Sequence, residues 1–212
     1  MNLFLSVLYT VGLYGAYLAG SLYLRTQSNN QTERWVPYST LLLTLAIAVP
    51  TTLQFFFPSL LQMFERDYTR FLAGDWWRVL TPLFVQDGGL SGSIFNLVSF
   101  VLVGTVAEKI WGSQRWLLIF FAGGILSELI AFAWQPIGAG NSVANFSLAA
   151  SMAVMCLALP VSRVVKVMAI LALGAGMILL FLRDIHGAAM LPGMLIALCL
   201  IRLDAHRFQR QP

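Results

Sequence analysis

Charge is scarce in this chain. Only 10% of its 212 residues are Asp, Glu, Lys or Arg, where soluble domains carry about 25%. Together with 58% hydrophobic residues and a mean hydropathy of +0.78, this excludes a water-soluble globule and describes an all-α integral membrane protein. Cysteine is nearly absent. Cys156 and Cys199 both lie inside apolar runs, which excludes a disulfide framework and a cysteine-built metal site. No HExxH, CxxC or glycine-rich phosphate loop occurs, so metal- and nucleotide-dependent mechanisms have no motif to rest on and no cofactor or metal is expected. The formal net charge is +4, but the 13 basic residues are scattered singly between apolar runs. They make no basic face, so no nucleic acid partner is expected.

Long hydrophobic runs are what the chain does have. Crossing a hydrocarbon core of ~30 Å takes roughly 20 apolar residues. Seven runs meet that need: 3–24, 38–57, 93–110, 115–134, 142–160, 163–182 and 185–201. The first, "MNLFLSVLYTVGLYGAYLAGSLYLR", lacks the positive start and small-residue cleavage site of a secretory signal, so it reads as a retained transmembrane helix. Segment 59–92 differs from the rest, with Glu65, Arg66, Asp67, Arg70, Asp75 and Arg78 interleaved among Phe, Leu and Trp. It reads as a structured interfacial loop with Trp76 and Trp77 at headgroup level.

The basic residues orient the bundle. With the N-terminus outside, Arg25, Arg34, Lys109, Arg115, Arg163, Lys166, Arg202, Arg207 and Arg210 fall inside, against Arg66, Arg70, Arg78 and Arg183 outside. The positive-inside rule then puts the C-terminus in the cytoplasm. In that topology the third, fifth and seventh runs start at the outer face, and each opens with a polar residue: Asn96, Ser142 and His186. A serine, a base and an amide donor at similar depth are the parts of a serine hydrolase. Gly138 and Gly140 before Ser142 would let backbone come close to a substrate. The plain alternative is that a serine at a helix end caps or packs. An intramembrane histidine is rarer and more often functional, whereas His206 sits in a polar tail with Arg202 and Arg207.

The order of these motifs resembles the rhomboid family of intramembrane serine proteases. "DWWRVLTPLF" is similar to the family's Trp-Arg element, placing it on Trp77 and Arg78. "FNLVSFVLVGTVAEKIWGS" resembles the second core helix, with Asn96 and the E-x-x-x-G ending at Glu108 and Gly112. "GNSVANF" stands where the family has G-x-S-G, and "HGAAMLPG" resembles the last core helix. The resemblance implies Ser142 as nucleophile and His186 as general base, a dyad. It implies Asn96 and the Ser142 backbone N–H as oxyanion donors, with Gln86 as an alternative donor. Gly140 and Asn141 would shape the site backbone; Trp77, Arg78, Glu108 and Gly112 would be structural. The implied fold is a six-helix rhomboid-like core around a water-filled cavity, with one extra N-terminal helix. That divides the chain into 1–37 (extra helix and cytoplasmic linker), 38–203 (core) and 204–212 (cytoplasmic tail). The implied substrates are single-pass transmembrane proteins of the cell membrane, cut near the outer leaflet.

The chain departs from the family pattern at named positions. Val143 replaces the second glycine of G-x-S-G, Gly92 stands where a loop histidine is expected, and Phe146 keeps an aromatic ring without a hydroxyl. Ala189 stands where glycine is common, and Pro192 is expected to kink the last helix. Val143 and Gly92 favour a second reading, a catalytically impaired rhomboid-like protein that binds membrane clients without cutting them. A third, a transporter, lacks the paired intramembrane charges and repeats that its mechanism needs. Glu128 is expected to hydrogen-bond a neighbouring helix in protonated form. Asp184 is expected to mark the outer end of the last helix, with orientation of His186 as its alternative role.

Overall fold

A computed structural model describes residues 3–27 and 35–209, with the side chains of 205–209 excepted. Arg34, Arg210 and the side chains of His206 and Arg207, used above for orientation and for the tail, lie outside the described residues. The described fold is helical. Helix α1 spans Leu3–Gln27, α2 Tyr38–Phe56, α5 Gly89–Trp111, α6 Ser113–Ala131, α8 Arg163–Phe181 and α9 Ile185–Gln209. These six are long and apolar enough to cross a membrane, which makes the chain a multi-pass membrane protein. Glycine and proline also mark connections: Pro58 precedes a short helix α3 (Ser59–Phe64), Gly112 turns α5 into α6 at φ +74°, and Pro160 follows a helix that ends at Ala158. Pro192 lies inside α9, which continues through it.

Helix α7, Ser142–Ala158, is the exception. Its 17 residues reach only about 25 Å at the helical rise, short of a full crossing. It is instead the centre of the bundle, buried from Val143 to Val154. Small residues permit that position. Gly123 of α6 and Gly193 of α9 both press on Ser147, and a Cβ at Gly193 would overlap the Ser147 backbone. The Ser147 hydroxyl donates to the Ala189 carbonyl at 2.6 Å. Dense contact between small side chains is how helices associate without a water-driven hydrophobic effect.

Helix α1 is not an appendage to this core. It packs on α8, α7 and α5, with Leu13, Ala16 and Ala19 buried in the same cluster as Phe100, Phe146 and Leu148.

The segment between α2 and α5 is structured, as expected, and built from short pieces. After α3 come β1 (Arg66–Asp67), α4 (Tyr68–Leu72) and two 3-10 turns, Trp76–Val79 and Thr81–Phe84. Strand β1 pairs antiparallel with β2 (Ile137–Gly138), Arg66 opposite Gly138. This ties the loop to the chain just ahead of α7. Buried Arg78 holds the loop's interior, with Nη1 donating to the Gln62 and Glu65 carbonyls and Nε to Asp75. Trp76 and Trp77 face outward.

One expectation about charge changes here. Glu128 of α6 is fully buried, and its partner is Arg66 of β1 rather than a neighbouring helix. The two form a buried ion pair, which the sequence did not reveal because the partners come from different segments. Glu108 also faces inward. Its carboxylate accepts from the Ser39 and Thr40 backbone N–H groups and the Thr40 and Ser113 hydroxyls. It thus caps the start of α2 with negative charge where the helix dipole favours it.

Candidate active site

The chain enters α7 in a fixed extended shape. Gly138 and Gly140 take φ +158° and +154°. The Gly140 N–H donates to the Pro82 carbonyl at 2.9 Å, and the Ala139 N–H to Asp87 Oδ2 at 2.9 Å. Asn141 is the N-cap and Ser142 the first residue of the helix. The unpaired N–H groups at this end carry partial positive charge, beside the Ser142 hydroxyl.

The opposite wall comes from the turn between α8 and α9. Arg183 adopts φ +57°, its N–H donating to Leu180, while the Asp184 N–H donates to Leu179. This is a Schellman closure with arginine in the left-handed position where glycine is usual. Asp184 then caps α9. Its Oδ1 accepts the His186 backbone N–H at 2.9 Å and lies 2.7 Å from His186 Nδ1. A capping carboxylate two residues before a histidine can serve backbone and ring together, because the N-cap acceptor points at the N–H of the second helical residue. His186 Nε2 lies 3.0 Å from Ser142 Oγ. With the Nδ1 proton held by Asp184, Nε2 faces the serine as a free base. Burial alone would raise the Asp184 carboxyl, but hydrogen bonds from the His186 ring and the Tyr9 hydroxyl hold it below the usual carboxylate range. It is therefore ionised at neutral pH.

Aromatic rings clamp the imidazole. The Phe146 ring centroid is 5.0 Å from that of His186, and the Tyr9 centroid 4.6 Å. The Tyr9 hydroxyl donates to Asp184 Oδ2 at 2.6 Å.

Amides complete the wall. Asn96 Nδ2 donates to Gln86 Oε1 at 2.7 Å, and Gln86 Nε2 to Asn141 Oδ1 at 2.7 Å. Gln54 pins the Gln86 backbone from α2. Gln86 therefore orients Asn96 and Asn141, giving one of its two amide N–H bonds to Asn141. Asn96 retains a second N–H. A Cβ placed on Gly140 would sit 3.2 Å from Ser142 Oγ, 3.3 Å from Gln86 Oε1 and 3.5 Å from Asn96 Nδ2, so these polar atoms converge on one small space kept open by a glycine.

Ser142, His186, Asn96, Gly140, Val143 and Phe146 all line a single cavity of about 750 Å³, together with Gly92 and Tyr9. Asn141 is buried beside it. Trp77, Arg78, Glu108 and Gly112 lie elsewhere, in the loop and at the α5–α6 turn. Sequence reasoning missed Tyr9 and gave the His186-orienting role of Asp184 second place. The Asp-x-His spacing at a helix start carried a signal for Asp184; nothing in the spacing of α1 singles out Tyr9. A hydroxyl against an imidazole that is itself held by a carboxylate is the arrangement that activates a serine nucleophile.

Comparison with known proteins gives the lineage. The Rhomboid domain matches residues 73–207, starting later than the resemblance drawn from residue 38. The rhomboid protease GluP of Bacillus subtilis (strain 168) is 42% identical over 74 residues, covering 34% of this chain and 14% of that protein. The putative rhomboid protease YdcA of the same organism is 28% identical over 135 residues, 60% of this chain and 66% of that protein. Rhomboid protease AarA of Providencia stuartii is 29% identical over 75 residues, 35% of this chain and 26% of that protein. The chain thus spans less than two thirds of each of these relatives. The family match takes in the cavity residues Asn96, Ser142 and His186, with Tyr9 of α1 outside it, and on that match the chain belongs to the rhomboid family.

Proposed function

We propose that this protein is a rhomboid-type intramembrane serine endopeptidase acting on transmembrane proteins. The observation that carries the reading is the hydrogen-bonded row Ser142–His186–Asp184 beside the opening of α7. Ser142 Oγ attacks a peptide carbonyl while its proton passes to His186 Nε2. The Asp184 carboxylate steadies the imidazolium so formed, making the constellation a triad rather than the expected dyad. The Ser142 backbone N–H and the second Asn96 N–H hold the oxyanion. Collapse breaks the C–N bond, and the leaving amine takes the proton from Nε2. Water then attacks the acyl-serine, giving a proton to Nε2, and Ser142 leaves with that proton restored.

The proposed topology has seven spans, α1 preceding a six-helix core, with α7 as the short central one. The N-terminus is outside and the C-terminus cytoplasmic in the cell membrane, as the basic residues argue. The cavity then opens on the outer side, and single-pass substrates are cut near the outer leaflet.

Active-site labelling with a fluorophosphonate in lipid tests the reading. Wild type is expected to label and Ser142→Ala and His186→Ala are not. Folded wild type that fails to label would point to the client-binding alternative, for which Val143 at the cavity wall is the feature to revert to glycine.

A further inference from the structure

Tyr9 reaches the site from the helix that the sequence sets apart from the core. Its hydroxyl holds Asp184 Oδ2, while Oδ1 of the same carboxylate holds both the ring and the backbone N–H of His186. Four groups therefore form one chain: Tyr9 hydroxyl, Asp184 carboxylate, His186 imidazole, Ser142 hydroxyl. A carboxylate held through one oxygen can turn about its Cβ–Cγ bond. Held through both, its plane is fixed.

The position of Tyr9 is set by the whole of α1. Gly12 lies against Phe146 of α7, Gly15 against Ala172 of α8, and Gly20 against Val106 of α5. A Cβ at these positions would sit 3.0 Å from Phe146, 3.3 Å from Ala172 and 2.8 Å from Val106 respectively, so the lack of one lets α1 approach closely. Further along α1, the Tyr14 hydroxyl lies 3.3 Å from Ser99 Oγ of α5, away from Asp184. Phe146, the other ring on His186, has no hydroxyl to offer.

We propose that Tyr9 is a positioning residue of the active site: by anchoring Asp184 it orients His186, so α1 belongs to the catalytic apparatus. The inference rests on the serine-hydrolase reading above. Tyr9 acts through Asp184 rather than on the reacting atoms. Its donated hydrogen bond also draws charge from the carboxylate, tempering how strongly Asp184 stabilises an imidazolium. Losing the hydroxyl should slow the reaction and shift its pH dependence together. The groups that face His186 are Tyr9 from α1, Ser142 and Phe146 from α7, and Asp184 from the α8–α9 turn. Arg66, Asp87 and Glu128 are the charged residues that line the same cavity.

The test is the pH profile of fluorophosphonate labelling, on full-length protein in lipid, for wild type, Tyr9→Phe and Tyr14→Phe, each checked for a cooperative melt. Tyr9→Phe keeps the ring against His186 and removes only the hydroxyl. Its maximal labelling rate is expected to fall about 10-fold, the order of one hydrogen bond to a charged group. The half-saturating probe concentration should not change, and the acid limb should move to higher pH. Tyr14→Phe, which loses its hydroxyl on the same helix away from Asp184, should keep the wild-type profile. A Tyr9→Phe profile equal to wild type overturns the inference and leaves the hydrolase reading intact. Equal changes in both variants overturn it too, since they would reflect the seating of α1 in general. Wild type that does not label removes the hydrolase reading and this inference with it.

Discussion

Replacing Gly140 by alanine separates the backbone's contribution from the chemistry of the site. The added Cβ would sit 3.2 Å from Ser142 Oγ and 3.5 Å from Asn96 Nδ2. It would fill the space where the oxyanion of a tetrahedral adduct must lie to reach both the Ser142 N–H and the Asn96 amide. Removing one oxyanion donor costs about 10²–10³ in rate, and a methyl in that space obstructs two at once, so labelling should fall at least 100-fold. The backbone contributes separately. At φ +154° an L side chain is strained, at a cost of about 1–3 kcal/mol. Gly74 supplies the control, because at φ +110° it is also strained by a side chain, while a Cβ there meets nothing within 4 Å. Fluorophosphonate labelling rates and melting temperatures would be measured for Gly140→Ala, Gly74→Ala and wild type in the same lipid. Both variants should melt lower, and only Gly140→Ala should lose labelling. Wild-type labelling in Gly140→Ala would refute the assignment of the oxyanion space, as would an equal loss in Gly74→Ala.

Other consequences can be measured on the same preparations. Glu128→Ala leaves Arg66 buried and unpaired, so unfolding in detergent should become easier by about 3–5 kcal/mol, whereas the double replacement Arg66→Met with Glu128→Leu should recover most of that loss. Arg183→Gly relieves a left-handed residue on an exposed turn and should raise stability by about 1 kcal/mol, read as a higher melting temperature with labelling retained. Because the Asp184 carboxyl is held below its ordinary value, it contributes stability above its unfolded value of about 3.9. That contribution is lost as pH falls through the lower folded value. Melting temperatures followed into acid should therefore drop less steeply in Asp184→Asn than in wild type.

The helices were legible because apolar runs of membrane length have few other uses. Their ends were legible where glycine and proline stand, as at Gly112 and Pro160. Ser142, His186 and Asn96 emerged as candidates from parity and charge counting, because each opens an apolar run that starts at the same face, and all three line the one cavity. What stayed hidden depends on contacts between distant segments. Arg66 and Glu128 are 62 residues apart and meet because β1 pairs with β2, a two-residue ladder too short to leave a pattern. The network that seats Gln86 was hidden as well, since Gln54 and Asn141 reach it from 32 and 55 residues away. The division at residue 37 followed the order of motifs, whereas the packing of α1 follows glycines at positions 12, 15 and 20 that carry no signature of what they face.

The bond between Tyr9 and Asp184 joins residues 175 apart, and this gives the molecule an order of assembly. Helix α1 precedes α5, α7 and α8, the helices that build its groove, and must wait for them during synthesis. Contacts of such long sequence separation form slowly and late. A nascent chain that has threaded Ser142 into the bilayer already carries Tyr9 but still lacks Asp184 and His186, which the turn between α8 and α9 supplies. On the serine-hydrolase reading, Ser142 therefore has no base to assist it until the turn carrying Asp184 and His186 has been made.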